Sequence, residues 1–417
     1  MQNQKNNITM IGAGLTGLAF CNLLRDENIK VSLIDINSKN FYKTTDEMDR
    51  YIVLSNTSKI IFENIGIWGK IFKYCTKVKD IHISKKNIFG STIVKSSDED
   101  LESLGYQLPV KELIKILYEN IENKKNIEFI HEAEVIKLNN SKDLEIKYIK
   151  NKIEKNITSN PVIFSTGAAD KLVDNIFSEK VQKNYKQNAL TCEIITDKYN
   201  SETAFERFTD RGIIGIIPRN SNSWTLIYST DEDESEVIIK LKFPDAKEYF
   251  QNLIGNKCGK ILDLKNIKKY PLKMKYYKDF TNENICLLGD AAHTLHPIAA
   301  QSFNLSLRDC AYLTDMIENS NTLEKNDFLL SLDINFIRVR EETLKPLSKN
   351  DIIVRNNHHL EKNDLDKLLQ KVILFVNDDA KQKIEKYFQK KSFVNEDLYK
   401  KFLSYFPSPF PEKSLLN

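Results

Sequence analysis

The sequence contains few glycines, few cysteines and no long apolar run, and each shortage excludes a class of protein. Its 417 residues include 13 glycines and 6 cysteines. The cysteines show neither C-x-x-C nor metal-ligand spacing, and several lie in apolar segments. We therefore expect buried free thiols in a reducing cytoplasm. The longest apolar stretches have strand length, short of the roughly 20 residues that a membrane-spanning helix requires.

The chain also lacks an excess of charge of either sign. Its 61 basic and 58 acidic residues leave a formal net charge of +3, which gives no electrostatic footprint for a nucleic acid. The polar N-terminus reaches the first predicted strand at Ile8, and we therefore expect no signal peptide. Apolar residues make up 41%, enough for a packed interior, and the length suggests two domains.

A strand followed by a complete G-x-G-x-x-G stands near the N-terminus. Gly12 permits a tight turn, Gly14 lets the backbone approach a pyrophosphate, and Gly17 lets helix and sheet pack closely. The next helix offers free N–H groups to the phosphates. A second predicted strand ends in Asp35, 18 residues past Gly17, where a ribose-binding carboxylate is expected. The pattern predicts a dinucleotide site, although Asp35 alone could simply end a strand.

A second glycine turn, at Gly289, follows another short apolar run. Residues 285–288 read as a buried strand that ends at Gly289, and Asp290 comes next. An aspartate at this place can direct its carboxylate to a ligand hydroxyl. The alternative is that Asp290 only caps the following helix.

Together the two turns resemble the flavin-dependent aromatic hydroxylases of the para-hydroxybenzoate hydroxylase superfamily, in particular its ubiquinone-biosynthesis branch. The strongest likeness is the G-D-A-A-H-x-x-H-P run at 289–297, which leads to an N-L helix at Asn304. Further segments fit the same family at 49–55, 65–68 and 207–218. The resemblance spans about residues 5–310, and such a series of ordered motifs is specific for fold.

The fold that this resemblance implies is α/β, a Rossmann-like FAD-binding domain with an inserted antiparallel-sheet substrate domain and a C-terminal helical region. The predicted boundaries are 1–75, 96–180 and 281–320 for the FAD-binding domain, 76–95 and 181–280 for the substrate domain, and 321–417 for the helical region. Periodicity predicts a helix over 110–122 and a strand meander over 127–157. The parallel sheet is expected to resume at 161–165, and 220–223 to form a hairpin turn.

The resemblance also implies the chemistry. FAD would be reduced by NAD(P)H and would react with O2 to a C4a-hydroperoxide, which hydroxylates a prenylated phenolic ubiquinone precursor. His296 and Pro297 would line the flavin face, and no acid–base residue is assigned. Trp224 and Tyr228 would form a wall for the phenol. The residues expected to bind the cofactor are Gly12, Gly14, Gly17, Asp35, Arg50, Gln107, Gly289, Asp290, Ala300, Ser302 and Asn304.

Several of these residues have simpler interpretations. Arg50 could pair with a neighbouring aspartate on the surface, and Gln107 could be exposed in a loop. Trp224 and Tyr228 could be ordinary core aromatics. His293 and His296 lie three residues apart, but no third ligand is near them, so we expect no metal site.

The chain departs from the family pattern near both turns. Thr166 stands where the family has an aspartate that serves pyrophosphate and nicotinamide contacts, and no arginine follows it. The resemblance still implies NAD(P)H as the reductant, but the family's aspartate contact to the nicotinamide is missing. Ala300, Ser302 and Ser306 replace glycines, and their Cβ atoms restrict the backbone close to the flavin.

Two other functions remain open beside aromatic hydroxylation. One is a different flavin oxidoreductase of the same fold, and the other is a partly degenerate FAD-binding subunit that serves as a scaffold in a biosynthetic complex. Residues 380–417 are rich in lysine and aromatics, and a prenylated substrate requires access to a bilayer. We expect a cytoplasmic protein with at most peripheral contact with the inner face of the membrane.

Overall fold

The computed structural model describes eight segments of the chain, and strands in all but the last of them form four sheets. The described residues are 7–44, 50–86, 91–139, 144–159, 161–199, 202–282, 284–294 and 302–319. Elements are numbered here in chain order.

A six-stranded sheet carries the first glycine turn. Its strands, in spatial order, are β18 (Thr281–Asn282), β19 (Ile285–Leu287), β12 (Val162–Phe164), β1 (Asn7–Ile11), β2 (Lys30–Ile34) and β8 (Ile127–Ile130). All neighbours are parallel except β18 and β19. The predicted return of the chain to this sheet near residue 161 is confirmed. Residues 127–130 were expected in the meander but form the edge strand β8 of this sheet, because Ile127 aligns in parallel with Val31, whose N–H donates to the Asn126 carbonyl.

Helices cover this sheet and close the larger apolar core. Val110, Leu113, Leu117 and Ile121 line one buried side of α5, as the periodicity predicts. The helices of this part are α1 (Leu15–Leu23), α2 (Lys39–Thr44), α3 (Asn56–Asn64), α4 (Trp68–Phe72), α5 (Val110–Ile121), α6 (Lys171–Ile176) and α9 (Ser302–Asn319). Helix α1 packs between α5 and α9, which fixes its N-terminus at the carboxyl end of β1.

Two small antiparallel sheets flank the first. The first contains β3 (Tyr51–Leu54), β7 (Gly105–Pro109) and β4 (Thr76–Val78). The second contains β9 (Ala133–Asn139), β10 (Leu144–Lys150) and β11 (Ile153–Ser159), the meander that alternation predicts.

The fourth sheet has eight strands. Their spatial order is β20 (His293–Thr294), β17 (Ile261–Tyr277), β13 (Lys180–Thr196), β16 (Ser223–Asp231), β15 (Gly212–Pro218), β14 (Thr203–Thr209), β5 (Asp80–Lys85) and β6 (Ser91–Lys95). Only β14 and β5 are parallel neighbours. The predicted turn at 220–223 connects β15 and β16, with the Ser223 N–H donating to the Asn220 carbonyl at 3.0 Å.

The two faces of this sheet have different partners. One face, which we call the outer face, packs Trp224, Leu226 and Tyr228 against α7 (Glu232–Ile238) and α8 (Phe243–Ile254) in a second apolar core. The inner face carries the alternate residues, Thr225, Ile227 and Ser229, because side chains alternate along a strand. The division into domains stays a prediction, although segments near 80–95 and 180–277 do join in this one sheet.

All six cysteines are free thiols, as predicted, and five of them are buried. Burial raises the pKa of Cys21, Cys192 and Cys258 to about 12, so these thiols stay protonated. Among the helices in the described ranges, none has both the length and the apolar character that crossing a bilayer demands.

Candidate active site

The glycine turn after β1 combines two tightly packed glycines with one that faces open space. Gly12 has φ +98°, and a Cβ there would lie 2.7 Å from the Ser165 carbonyl oxygen. A Cβ on Gly17 would lie 2.0 Å from the Gly12 carbonyl oxygen. At Gly14, which directly precedes α1, a Cβ would meet no atom within 4 Å. The helix N-terminus is therefore open at Gly14, and its free N–H groups suit a phosphate.

Asp35 is held against this turn. It directly follows β2, and its carboxylate accepts hydrogen bonds from the Ala13 N–H at 2.6 Å and the Asn37 N–H at 2.8 Å. The side chain is 9% exposed, so an edge of it still reaches the surface of the turn. Its contact with an adenosine ribose stays a prediction, and its position beside the phosphate cradle fits that role.

Thr166 borders the same turn from the third strand. Its hydroxyl is buried and has no hydrogen-bond partner among the residues that the structure describes. Gly167 follows with φ +91°, and a Cβ there would also meet nothing within 4 Å. An orphaned hydroxyl beside an open glycine fits a group that binds there, and threonine still offers a donor where the family has an aspartate.

The Gly289–Asp290 turn packs directly on the first. Gly289 has φ +63°, and a Cβ would lie 2.5 Å from the Thr16 hydroxyl oxygen in α1. Asp290 is exposed, and its Oδ1 accepts a hydrogen bond from the Ser302 hydroxyl at 2.8 Å. The serine that replaces a family glycine thus holds the aspartate from the start of α9. The structure brings both predicted motifs together.

The Asn304 side chain holds neighbouring elements together, while the predicted cofactor contact of this residue stays a prediction. Its amide nitrogen donates to the Val53 carbonyl at 2.8 Å, and its Oδ1 accepts from the Ser55 N–H at 2.8 Å and the Ser58 hydroxyl at 2.7 Å. The side chain is 3% exposed. It fastens α9 to β3 and α3, so any cofactor contact at this residue falls to its backbone.

Gln107 lies in β7 of the small β3–β7–β4 sheet, and Arg50 directly precedes β3. The Arg50 side chain is exposed and makes no hydrogen bond or ion pair with any other described residue. Gln107 is 2% exposed, which removes the interpretation as a loop residue. Its amide contacts the Thr225 hydroxyl at 2.6 Å, and in the orientation that satisfies both ends it donates to the Ile217 and Pro218 carbonyls. Gln107 therefore connects this sheet to the inner face.

A buried arginine that the sequence did not single out completes this contact. The Arg219 guanidinium lies 3.8 Å above the Tyr51 ring, donates to Thr225 Oγ1 at 2.8 Å and pairs with Glu193 at 3.0 Å. It is 6% exposed. Its position after β15 was visible, but an arginine at a strand end is usually on the surface. Only the pairing of distant strands identifies it as an interface residue.

Trp224 and Tyr228 lie on the outer face, against α8 and away from the small sheet. Trp224 is 2% exposed and donates from Nε1 to the Thr196 hydroxyl at 3.1 Å. Tyr228 is fully buried in the same core. The structure favours core packing for both residues, which is the alternative that the sequence left open. The reason is that both side chains point to the face of the sheet that α7 and α8 cover.

The histidine of the second motif also has a packing role. His293 Nε2 lies 3.1 Å from Asp309 Oδ2, and both side chains are buried between β20 and α9. Within the described segments, no group of three or more His, Cys, Asp or Glu residues could hold a metal. His296, Pro297 and Ala300 lie outside the described residues, and their predicted roles stay predictions.

A parallel βαβ unit with an open glycine turn is typical of dinucleotide-binding proteins, and here it is joined to a large, mostly antiparallel sheet. The chain belongs to the FAD binding domain family, whose model matches residues 5–322. FAD is accordingly its cofactor, and the open cradle at Gly14 with Asp35, Thr166 and Asp290 around it fits that group.

Named relatives are similar over most of their length. Ubiquinone hydroxylase UbiM from Neisseria meningitidis is 22% identical, over 75% of this chain and 68% of the relative. The 3-demethoxyubiquinol 3-hydroxylase of Escherichia coli is 20% identical, over 77% and 82%. Ubiquinone biosynthesis monooxygenase COQ6 of Schizosaccharomyces pombe is 22% identical, over 73% and 74%.

Solved structures share the fold. PqsL of Pseudomonas aeruginosa in complex with 2-aminobenzoylacetate matches with a TM-score of 0.73 and 14% identity, covering 84% of this chain and 97% of that one. The p-nitrophenol 4-monooxygenase PnpA of Pseudomonas putida matches with a TM-score of 0.71 and 14% identity, covering 92% and 98%. These likenesses confirm the predicted FAD-dependent hydroxylase fold.

Proposed function

We propose that this protein is an FAD-dependent monooxygenase that hydroxylates the aromatic ring of a phenolic ubiquinone precursor. The observation that carries the proposal is the joining of the two motifs at one place, where the Gly289 turn packs on Thr16 beside the Gly12–Gly17 turn. The named hydroxylase relatives cover the same residues. One oxygen atom of O2 would enter a ring C–H bond, and the other would leave as water with two electrons from NAD(P)H.

The chain's own residues divide the work of holding the cofactor. Gly14 and the first N–H groups of α1 would bind the pyrophosphate, Asp35 the adenosine ribose, and Asp290 a ribityl hydroxyl. Arg50 offers an exposed, unengaged cation within the described part of the chain for the flavin end. FAD, when bound, supplies the redox chemistry that activates oxygen.

The charge on the inner face supports an uncharged phenol as substrate. The buried cation there, Arg219, already pairs with Glu193 at 3.0 Å and lies against Tyr51. A substrate carboxylate would have to displace Glu193 from a buried pair, which is costly. Next to this pair the inner face carries an apolar cluster, which suits a prenyl chain and includes Ala189, Ile227, Leu272 and Met274.

The reductant and the partners follow from the same proposal. NAD(P)H fits the family chemistry, and Thr166 retains a donor at the place of the missing aspartate. A prenylated substrate favours peripheral contact with a cytoplasmic membrane face and membership of a ubiquinone-biosynthesis complex. Flotation with anionic liposomes tests the contact, and a protein that stays entirely at the bottom of the gradient contradicts it.

The decisive experiment combines a spectrum with a turnover assay. Purified protein should carry visible flavin absorbance and should oxidise NAD(P)H faster when a prenylphenol is added. Mass spectrometry with isotopically labelled O2 should find one labelled oxygen in the product. A scaffold subunit would bind FAD without stimulated oxidation, and protein that takes up no FAD after reconstitution would refute the proposal.

A further inference from the structure

Glu206 lies in the middle of β14, on the inner face. In β14 it pairs with Gly215 of β15, and Gly215 pairs in turn with Ile227 of β16. Ile227 and Thr225 are two residues apart and therefore share a face. Since Thr225 receives the contacts from Gln107 and Arg219, the face that carries Glu206 is the one turned toward the dinucleotide-binding part.

The neighbours of Glu206 leave space beside it and offer it no partner. A Cβ built on Gly215 would meet only the Ile227 carbonyl oxygen, at 3.9 Å. Apolar side chains flank the carboxyl on the same face, among them Ile83, Phe208 and Ile213. Glu206 makes no hydrogen bond or ion pair with any residue in the described ranges. It is enclosed by protein yet remains partly accessible, as expected of a group that lines a cavity.

Nearby cations do not compensate this carboxyl. Arg207 follows it in β14 and so points to the outer face, where its charge acts on Lys257 and His82. Arg219 is engaged by Glu193. Loss of hydration on burial is the cause that raises the pKa of Glu206 to about 7. An isolated carboxyl in an apolar cavity is unfavourable unless a ligand supplies a hydrogen-bond donor.

We propose that Glu206 accepts the hydroxyl proton of the phenol during ring hydroxylation. The proposal rests on the function proposed above and adds the acid–base group that the sequence left unassigned. A phenol hydroxyl is a donor of the right kind, and its ring can lie over Gly215, where no side chain stands. Lys85, which pairs with Phe208 in the sheet, and the Glu193–Arg219 pair lie on the same face, and burial without a contribution from them raises the pKa of Glu206.

The proton transfers balance within the cavity. As the O–O bond of the activated oxygen breaks and a hydroxyl group bonds to the ring carbon, the phenol O–H bond breaks and its proton passes to Glu206, which leaves a ring carbonyl. The ring carbon then loses its own hydrogen as a proton, which is taken up by the second oxygen atom as that atom leaves as water, and Glu206 returns its proton to the carbonyl oxygen. The product is a dihydroxylated ring, and the carboxylate is restored. General base catalysis of this kind contributes roughly a hundredfold or more to rate.

The test is Glu206→Gln, with Glu232→Gln as matched control because Glu232 is exposed at the start of α7. With 2-prenylphenol, E206Q should lose about a hundredfold in kcat with little change in KM, and E232Q should match wild type. Wild-type kcat should rise as pH passes through about 7, since the carboxylate is the active form, and E206Q should lack this step. E206Q with unchanged kcat and pH profile would overturn the inference.

A binding measurement provides a readout without turnover. Above pH 7, the Glu206 carboxylate should favour the neutral form of bound 4-nitrophenol, so wild type should bleach the probe's phenolate absorbance and E206Q should not. E206Q should also unfold at an equal or higher temperature than wild type at that pH, because it removes an uncompensated buried charge. Equal bleaching by both proteins would contradict the placement of Glu206 at the phenol. If wild type shows no FAD-dependent turnover at all, the proposed function fails instead.

Discussion

The glycine turns and the eight-stranded sheet place ligand-facing residues in different ways. At the first turn, local sequence decides much of the geometry, because a Cβ on Gly17 would lie 2.0 Å from the carbonyl oxygen of Gly12, five residues earlier. In the sheet, the face of a side chain depends on pairing between strands far apart in the chain. The inner and outer faces of β16 carry adjacent residues, Thr225 and Trp224, with opposite roles. Motifs therefore predict the proposed cofactor end, and strand register decides which side chains of the sheet face the proposed substrate end.

The largest effect, a loss of stability, is expected from a substitution on the outer face of the eight-stranded sheet. Trp224→Ala removes a side chain that is 2% exposed and packs with Leu226 and Phe250. We expect a loss of about 4 kcal/mol in the free energy of unfolding, from the lost burial and the cavity. Denaturant unfolding measures it. The KM for a prenylphenol should be unchanged, because the residue does not face the cavity.

Trp224→Phe is the matched control for this change. It keeps an aromatic ring but loses the hydrogen bond to Thr196, which costs about 1 kcal/mol. A stable W224A protein with a raised KM would place this residue in the substrate wall after all, and would reverse the assignment of the two faces.

The next effect separates two glycines of one motif. Gly17→Ala should cost about 3 kcal/mol or prevent folding, because its Cβ would lie 2.0 Å from the Gly12 carbonyl oxygen. Gly14→Ala should leave stability unchanged, since its φ of −68° suits any residue and nothing lies within 4 Å. It should still weaken FAD binding at least tenfold, about 1.4 kcal/mol, by filling the cradle. Thermal unfolding and flavin fluorescence titration measure the two quantities.

Equal FAD affinity in G14A and wild type would contradict the pyrophosphate role of this turn. A G17A protein as stable as wild type would contradict the close packing of α1 on β1. The pair thus tests whether local sequence alone fixes the cofactor end.

Sequence could predict the cofactor end in some detail for this reason. The order of strand, glycine turn, helix and acid lies within residues 7–35, and the structure places Asp35 beside the turn, where it accepts a hydrogen bond from the Ala13 N–H. Alternation predicted the substrate strands and the hairpin turn at 220–223, but it could not tell which parity faces inward. The sequence singled out Trp224 and Tyr228 because they are aromatic. Glu206 and Arg219 can be recognised as inner-face residues only from their neighbours on other strands, which are Gly215, Thr225 and Glu193.

The smallest effect is expected at Asp35, and it shows whether this carboxylate binds the adenosine ribose or only stabilises the glycine turn. Asp35→Asn keeps one oxygen acceptor for two N–H donors, Ala13 and Asn37, so we expect about 1 kcal/mol less stability. A ribose contact adds a loss of about tenfold in FAD affinity. FMN lacks the adenosine, so its affinity should fall less than that of FAD if the carboxylate binds the ribose. An equal loss for both flavins, measured by fluorescence titration, would mean that Asp35 acts only by holding the turn, and the cofactor end would then depend on backbone alone.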